Sequence, residues 1–133
     1  MSTLRTNALE GVDAKNSITI VAGAGNVTTT NVQEGLAKVW AAVFYSSGTP
    51  TVSDSFNVSS LNDDGTGDYD ANFTSNMGSA NYGAGAIAIF NTRVATFAST
   101  DASLFNIKVY DISVGATSAS DSSSRFTIHG DLA

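Results

Sequence analysis

Residues 54–82 read DSFNVSSLNDDGTGDYDANFTSNMGSANY, two short alternating strands on either side of an acidic, glycine-rich reversal. Phe56 and Val58 share one side of the first strand, and Tyr69, Ala71 and Phe73 share one side of the second, because successive side chains of a strand point to opposite faces. The chain must turn back between Asn62 and Gly67. Asp64-Gly65 is the expected place for a type I′ turn, since glycine has no Cβ to clash at positive φ and aspartate tolerates the left-handed region. A β-hairpin follows.

Upstream, Ile18, Ile20 and Val21 make a short β-run that Gly23 and Gly25 interrupt. Asn31 stands where an N-cap should be, Glu34 can complete a capping box, and Val32, Leu36 and Val39 or Trp40 fall on one stripe, which predicts a short helix over residues 32–38. From Trp40 onward the period becomes two, so a strand is expected, ended by Ser46-Ser47-Gly48-Thr49-Pro50. Downstream, residues 77–80 turn the chain. Residues 82–90, rich in alanine and glycine, form a strand that another backbone can approach closely. Further strands are expected at 93–97, 104–110, 112–114 and 125–130, with serine-rich loops at 99–103 and 117–124. Phe105, Ile107 and Val109 share one face of their strand, and Asn106, Lys108 and Tyr110 the other. Short strands with turn signals every ~8–12 residues predict an all-β, antiparallel sandwich-like fold. The expected division is an extended N-terminal segment, 1–25, that attaches and aligns the chains, and a β-domain, 26–133, carrying the one short helix.

The chain of 133 residues has the size of a single domain. Its hydrophobic share of 42% is largely alanine and valine, and only 14% of residues are charged, so the core is thin and burial against copies of the chain is favoured. A homotrimer is expected, because closed threefold symmetry buries strand edges. There is no cysteine, hence no disulfide framework and no thiolate metal site. A net charge of −6, with no basic residue between Lys38 and Arg93, argues against a nucleic-acid surface. No apolar run of about 18 residues and no basic-then-apolar leader is present, which speaks against membrane insertion and a secretory signal, and Met1 is expected in the mature protein.

Chemistry-bearing patterns are weak. Asp63, Asp64, Asp68 and Asp70 are the one concentration of potential metal ligands. With Gly65 at the sixth position of a calcium loop, the first ligand is Ser60 and the twelfth is Ala71, where a bidentate glutamate is needed. The expected reading of the acidic turn 62–70 is a solvated reversal, with a looser calcium site as the competing one. Gly23 and Gly25 after a β-run resemble a dinucleotide fingerprint only superficially, as Thr28 replaces the third glycine, and no phosphate-binding Gly-Lys-Ser/Thr occurs. His129, beside Arg125 and Asp131, is read as an exposed or interface residue rather than part of a triad. Paired carboxylates for glycoside cleavage need a longer groove than this chain offers. Tyr45, Tyr69, Tyr82, Tyr110 and Trp40 can stack on sugars if exposed, but Trp40 above all is expected to be packing. No catalytic, cofactor-binding or metal residue is assigned, no cofactor is expected, and the chain is read as non-enzymatic.

The segment resembles the carboxy-terminal domains of tailed-phage fibre proteins of marine and cyanophage type. The likeness is carried by Ser55-Phe56-Asn57-Val58-Ser59-Ser60, Gly65-Thr66-Gly67-Asp68-Tyr69, Asn72-Phe73, Met77 and Ala80-Asn81-Tyr82, with an upstream run from Thr28 to Trp40 and a lead-in before it. The last forty or so residues match in style alone. The resemblance implies a virion protein, assembled in the host cytoplasm, attached to another virion protein by its N-terminal segment and presenting its β-domain to a host surface glycan or protein. A structural virion protein without receptor binding, such as a head fibre, capsid decoration or tail accessory protein, is the alternative. If there is host contact, it is expected from the loops at 46–51, 99–103 and 117–124.

Overall fold

The computed structural model describes residues 19–22, 28–31, 35–113 and 117–133. The chain divides into two compact units, Met1–Leu36 and Ala37–Ala133. In the first, β1 (Thr19–Ala22) and β2 (Thr28–Asn31) pair antiparallel, with Thr19 opposite Asn31 and Ala22 opposite Thr28. The β-run expected near Ile20 is thus a strand of a hairpin. Residues 1–18, 23–27 and 32–34 lie outside the described residues, and with them most of the lead-in and the start of the expected helix.

The second unit is an antiparallel β-sandwich. Its strands are β3 (Ala37–Ser46), β4 (Thr49–Phe56), β5 (Val58–Gly65), β6 (Asp68–Phe73), β7 (Gly83–Ala88), β8 (Arg93–Thr100), β9 (Leu104–Asp111), β10 (Ser118–Ala119) and β11 (Ser124–His129). One sheet has the order β4-β3-β11-β7; in the other, β9 lies between β8 and β6, and β5 is the edge. Tyr110 pairs with Val94 of β8 and with Ala119 of β10. The short β10 therefore runs on the β6 side of β9, where β6 has already ended.

Gly35 is helical and Leu36 is a bend, but the last two positions of the helix expected over 32–38 open β3 instead. Ala37 is paired with His129, the register shifts beside it, and from Val39 the alternation carries through Ala41 and Val43, all buried. Burial of a half-apolar strand between β4 and β11 outweighs the local capping signal, as tertiary packing commonly overrides helix propensity. The strand expected at 112–114 is also absent at Ile112 and Ser113, where the chain leaves β9. Pro50, expected to end a strand, is buried inside β4 opposite Tyr45. This is tolerated because β4 is a sheet edge and needs no donor on its open side.

The core lies between the sheets. Val39, Ala41, Val43, Phe126 and Ile128 from one sheet meet Tyr69, Ala71, Phe73, Phe105, Ile107 and Val109 from the other. Phe105 and Phe126 stack across the gap with ring centroids 5.5 Å apart, and Tyr45 meets Tyr69 edge-on at 5.9 Å, geometries that add to area burial. Tyr69, Ala71 and Phe73 point inward as their alternation predicts, and so do Phe105, Ile107 and Val109.

Phe56 and Val58 part company. Asn57, the single residue between β4 and β5, has φ +60° and switches the chain from one sheet to the other. Phe56 stays exposed on the outside of the first sheet, whereas Val58 packs against the core from the second. Asparagine tolerates this left-handed corner. Its side chain also accepts the Ser75 N–H at 2.7 Å and donates to the Ser75 carbonyl at 2.9 Å.

Candidate functional site

The end of the sandwich opposite Ala37 gathers three reversals. The β3–β4 turn has Ser47 at φ +53° and Gly48 at φ +80°. The β5–β6 reversal is made by Thr66 and Gly67, two residues later than the expected Asp64-Gly65. Pairing continues through Asn62 opposite Asp70 and Asp63 opposite Tyr69, and the register slips between Asp63 and Gly65, so Asp64 is the bulged residue. Gly67 has φ +65°, and a Cβ there would stand 2.5 Å from the Val109 carbonyl oxygen and 2.6 Å from the Ser120 nitrogen. No other residue fits this crossing.

Residues 117–124 complete the cluster. The Asp121 carboxylate accepts the Gly67 N–H at 2.7 Å, and its other oxygen lies 3.6 Å from where a Gly48 Cβ would be. Ser123 Oγ accepts the Tyr45 N–H at 3.2 Å, and Ser124 Oγ is hydrogen-bonded to the Tyr69 hydroxyl. Burial pushes Tyr69 up to about 12. Burial, with the Asp121 and Asp63 carboxylates nearby, also raises Tyr45. The loop expected as a serine-rich contact surface is therefore stitched from below by Ser123 and Ser124, with Ser122 buried beside them, while Thr117, Ser118, Ala119 and Asp121 face solvent.

The expected loops do not form one surface. Residues 46–49 and 117–121 meet at this end, but 99–103 lie at the other. There the Ser103 carbonyl accepts the Phe73 N–H at 2.8 Å and the Ala102 carbonyl accepts the Met77 N–H at 2.7 Å. The Tyr82 hydroxyl closes that end by donating to the carbonyls of Asp101 and Leu104.

The acidic segment divides between two tasks. The Asp63 carboxylate accepts the Gly65 N–H at 3.1 Å, shaping the bulge. Asp68 and Asp70 stand on the outer face of β6 rather than in the turn. There Asn106, only 8% exposed, donates to both, at 2.9 and 2.8 Å, and Lys108 pairs with Asp68. Burial acts against ionisation of Asp68, but the Lys108 ammonium and the Asn106 amide outweigh it and hold the carboxyl below its ordinary value. Asp64, by contrast, is raised by desolvation and by the neighbouring Asp70 and Asp68. Among the described residues no group of three or more histidine or acidic side chains is arranged to hold a metal ion. Two of these four carboxylates are occupied by an amide and an ammonium on β9.

His129 lies on the exposed face of β11, its Nε2 3.4 Å from Thr127 Oγ1. Tyr69 is core. Trp40, expected to be packing, is 37% exposed on the outside of β3. Strand alternation explains it, since Val39, Ala41 and Val43 take the inner face. No helix among the described residues is long and apolar enough to cross a membrane.

Sequence reasoning missed the Asp121 fastening and the Asn57 corner. Glycine at 67 signals a close approach, but nothing in the local pattern names the partner 54 positions away. No family model matches the chain, and neither a curated protein nor a solved structure matches it.

Proposed function

We propose that the chain is a non-enzymatic virion protein of the bacteriophage tail-fibre type. It works as a homotrimer, joined to another virion protein by its N-terminal segment and turning its β-domain toward the host surface. One observation carries the orientation. Ala37, where the chain comes into the sandwich, pairs with His129 at one end, whereas the 46–49, 66–67 and 117–121 turns are fastened together at the other. A domain held at one end and exposing ordered loops at the opposite end suits a particle-borne adhesin, because recognition can vary on loops without disturbing the scaffold. The resemblance of residues 55–82 to fibre domains supports the class.

The test is an exchange of Thr117, Ser118 and Ala119 for a polar segment of other sequence in particles carrying this chain. Lost adsorption to host cells with intact particles supports the adhesin. Unchanged adsorption with falling particle stability supports a structural virion protein without receptor binding.

A further inference from the structure

We infer that the outer face of the sheet β4-β3-β11-β7 is the surface on which copies of this chain meet, the β4–β3 half of one copy packing on the β11–β7 half of the next. The inference rests on the homotrimeric part of the reading above and supplies its interface. The face exposes Ile87 (64%), Phe44 (53%), Phe56 (51%), Ile89 (49%) and Trp40 (37%). At ~150–250 Å² for a whole aromatic side chain, and somewhat less for isoleucine, the exposed apolar area is on the order of 400–500 Å². Divided between the two contacts that each copy makes in a ring, it supplies roughly 200–300 Å² of apolar side chain from each partner to one contact, which is small beside the ~800 Å² per partner of a standard interface.

The register shows why the occupant is another copy and why the contact is between unlike halves. One row across the sheet reads Phe56, Trp40, Thr127, Gly85; the next reads Asp54, Ala42, Arg125, Ile87. In the first row the β4–β3 half is bulky and the β11–β7 half is small, with nothing within 4 Å of a Cβ at Gly85. In the second row the order is reversed, alanine on one half and isoleucine on the other. Asp54 carries the charge of one half and Arg125 that of the other, and neither has a salt-bridge partner among the described residues. In these two rows the halves complement each other in size and in sign, while Phe44 and Ile89 add a bulky apolar side chain to each half; Arg125 also donates to the Val43 and Ser124 carbonyls of its own chain. Head-to-tail contacts between unlike halves close into a ring when the rotation closes, as the threefold of the reading above requires; a face-to-face pair about a twofold axis also sets unlike halves together, and would show as covalent dimers without trimers and overturn the threefold. On a chain of net charge −6, a face that offers an arginine to an aspartate also lowers the repulsion between copies.

The absence of cysteine makes the test direct. In the full-length double variant Ala42→Cys/Ile87→Cys the two new thiols of one chain are two strands apart, roughly 10 Å, too far to bridge to each other, but each faces the other kind on a neighbour. Mild oxidation should give covalent dimers and trimers on a non-reducing gel, while either single variant stays uncrosslinked. Ile87→Lys should give a monomer in sedimentation with an unchanged far-UV circular dichroism spectrum. A double variant that sediments as an oligomer yet forms no crosslink overturns this interface and leaves the oligomer standing. Covalent dimers from a single variant overturn the contact between unlike halves. An unmodified chain that is monomeric at micromolar concentration overturns both the interface and the trimer.

Discussion

Asp121 holds Gly67. Its carboxylate accepts the glycine N–H at 2.7 Å and ties the β5–β6 turn to the loop before β11, so the loop's exposed residues ride on a fixed support. The Gly67 carbonyl in turn accepts the Val109 N–H at 2.7 Å, and the Val109 carbonyl accepts the Ser120 N–H at 3.0 Å. One glycine thus sits at the junction of β6, β9 and β10.

Gly67→Ala should be the most damaging of the turn substitutions, because its Cβ would meet backbone oxygen and nitrogen that cannot move aside. A loss of at least ~1–3 kcal/mol is expected in urea unfolding. Gly65→Ala, with φ +135° but nothing within 4 Å of its Cβ, should cost less. The reverse order would show that the junction is softer than its geometry.

Core and outer face should respond differently to truncation. Phe105, fully buried between Phe97, Tyr82 and Phe126, should lose ~3–5 kcal/mol on replacement by alanine at any protein concentration. Trp40→Ala should instead remove the concentration dependence of the melting temperature that an associating chain shows. Equal concentration dependence in both variants would put Trp40 outside the contact.

The acidic residues should separate under the same asparagine substitution. Asp68→Asn strips Lys108 of its carboxylate and should lower stability at neutral pH. Asp64→Asn relieves repulsion from Asp70 and Asp68 and should leave stability unchanged or raise it. Because the folded chain holds the Asp68 carboxyl below its ordinary value, its contribution is present at neutral pH and is lost as pH falls through that lowered value. Acid unfolding of Asp68→Asn should therefore be less steep. Chelators should not move the melting temperature, and a drop of several degrees would indicate a bound cation near residues 62–70.

Alkaline titration provides an independent reading of the core. Tyr69 and Tyr82 are pushed up to about 12, and Tyr45 is raised as well, each chiefly by burial. A raised phenol stabilises the fold below its unfolded value near 10, and that contribution disappears as pH climbs through the folded value. Phenolate absorbance from these three tyrosines should appear together with loss of the β-sheet signal, between about pH 10 and 12. Smooth ionisation of these three tyrosines near pH 10, ahead of unfolding, would contradict the packing at Tyr45 and Tyr69.

The strands that build the core were legible because their periodicity and their burial coincide: Tyr69-Ala71-Phe73 and Phe105-Ile107-Val109 alternate in sequence and point inward in the fold. The features that shape the candidate site were hidden for a common reason, since each depends on a distant partner. The corner at Asn57 is bonded to Ser75, the turn at Gly67 to Asp121, and Asp68 to Lys108 on β9. Residues 37 and 38 show the converse, a local helix signal overruled by pairing with β11. Trp40 was misplaced because its size suggests burial, while its position in the alternation puts it outside.

The central claim, a trimeric virion protein that turns its stapled loops toward the host, is tested most directly by locating the chain on intact particles by electron cryomicroscopy. The account predicts three copies around a threefold axis in a fibre, their β4-β3-β11-β7 faces turned toward one another, Ala37 on the particle side and residues 117–121 outermost. Single copies tiling the shell, with those loops facing the capsid, would contradict it.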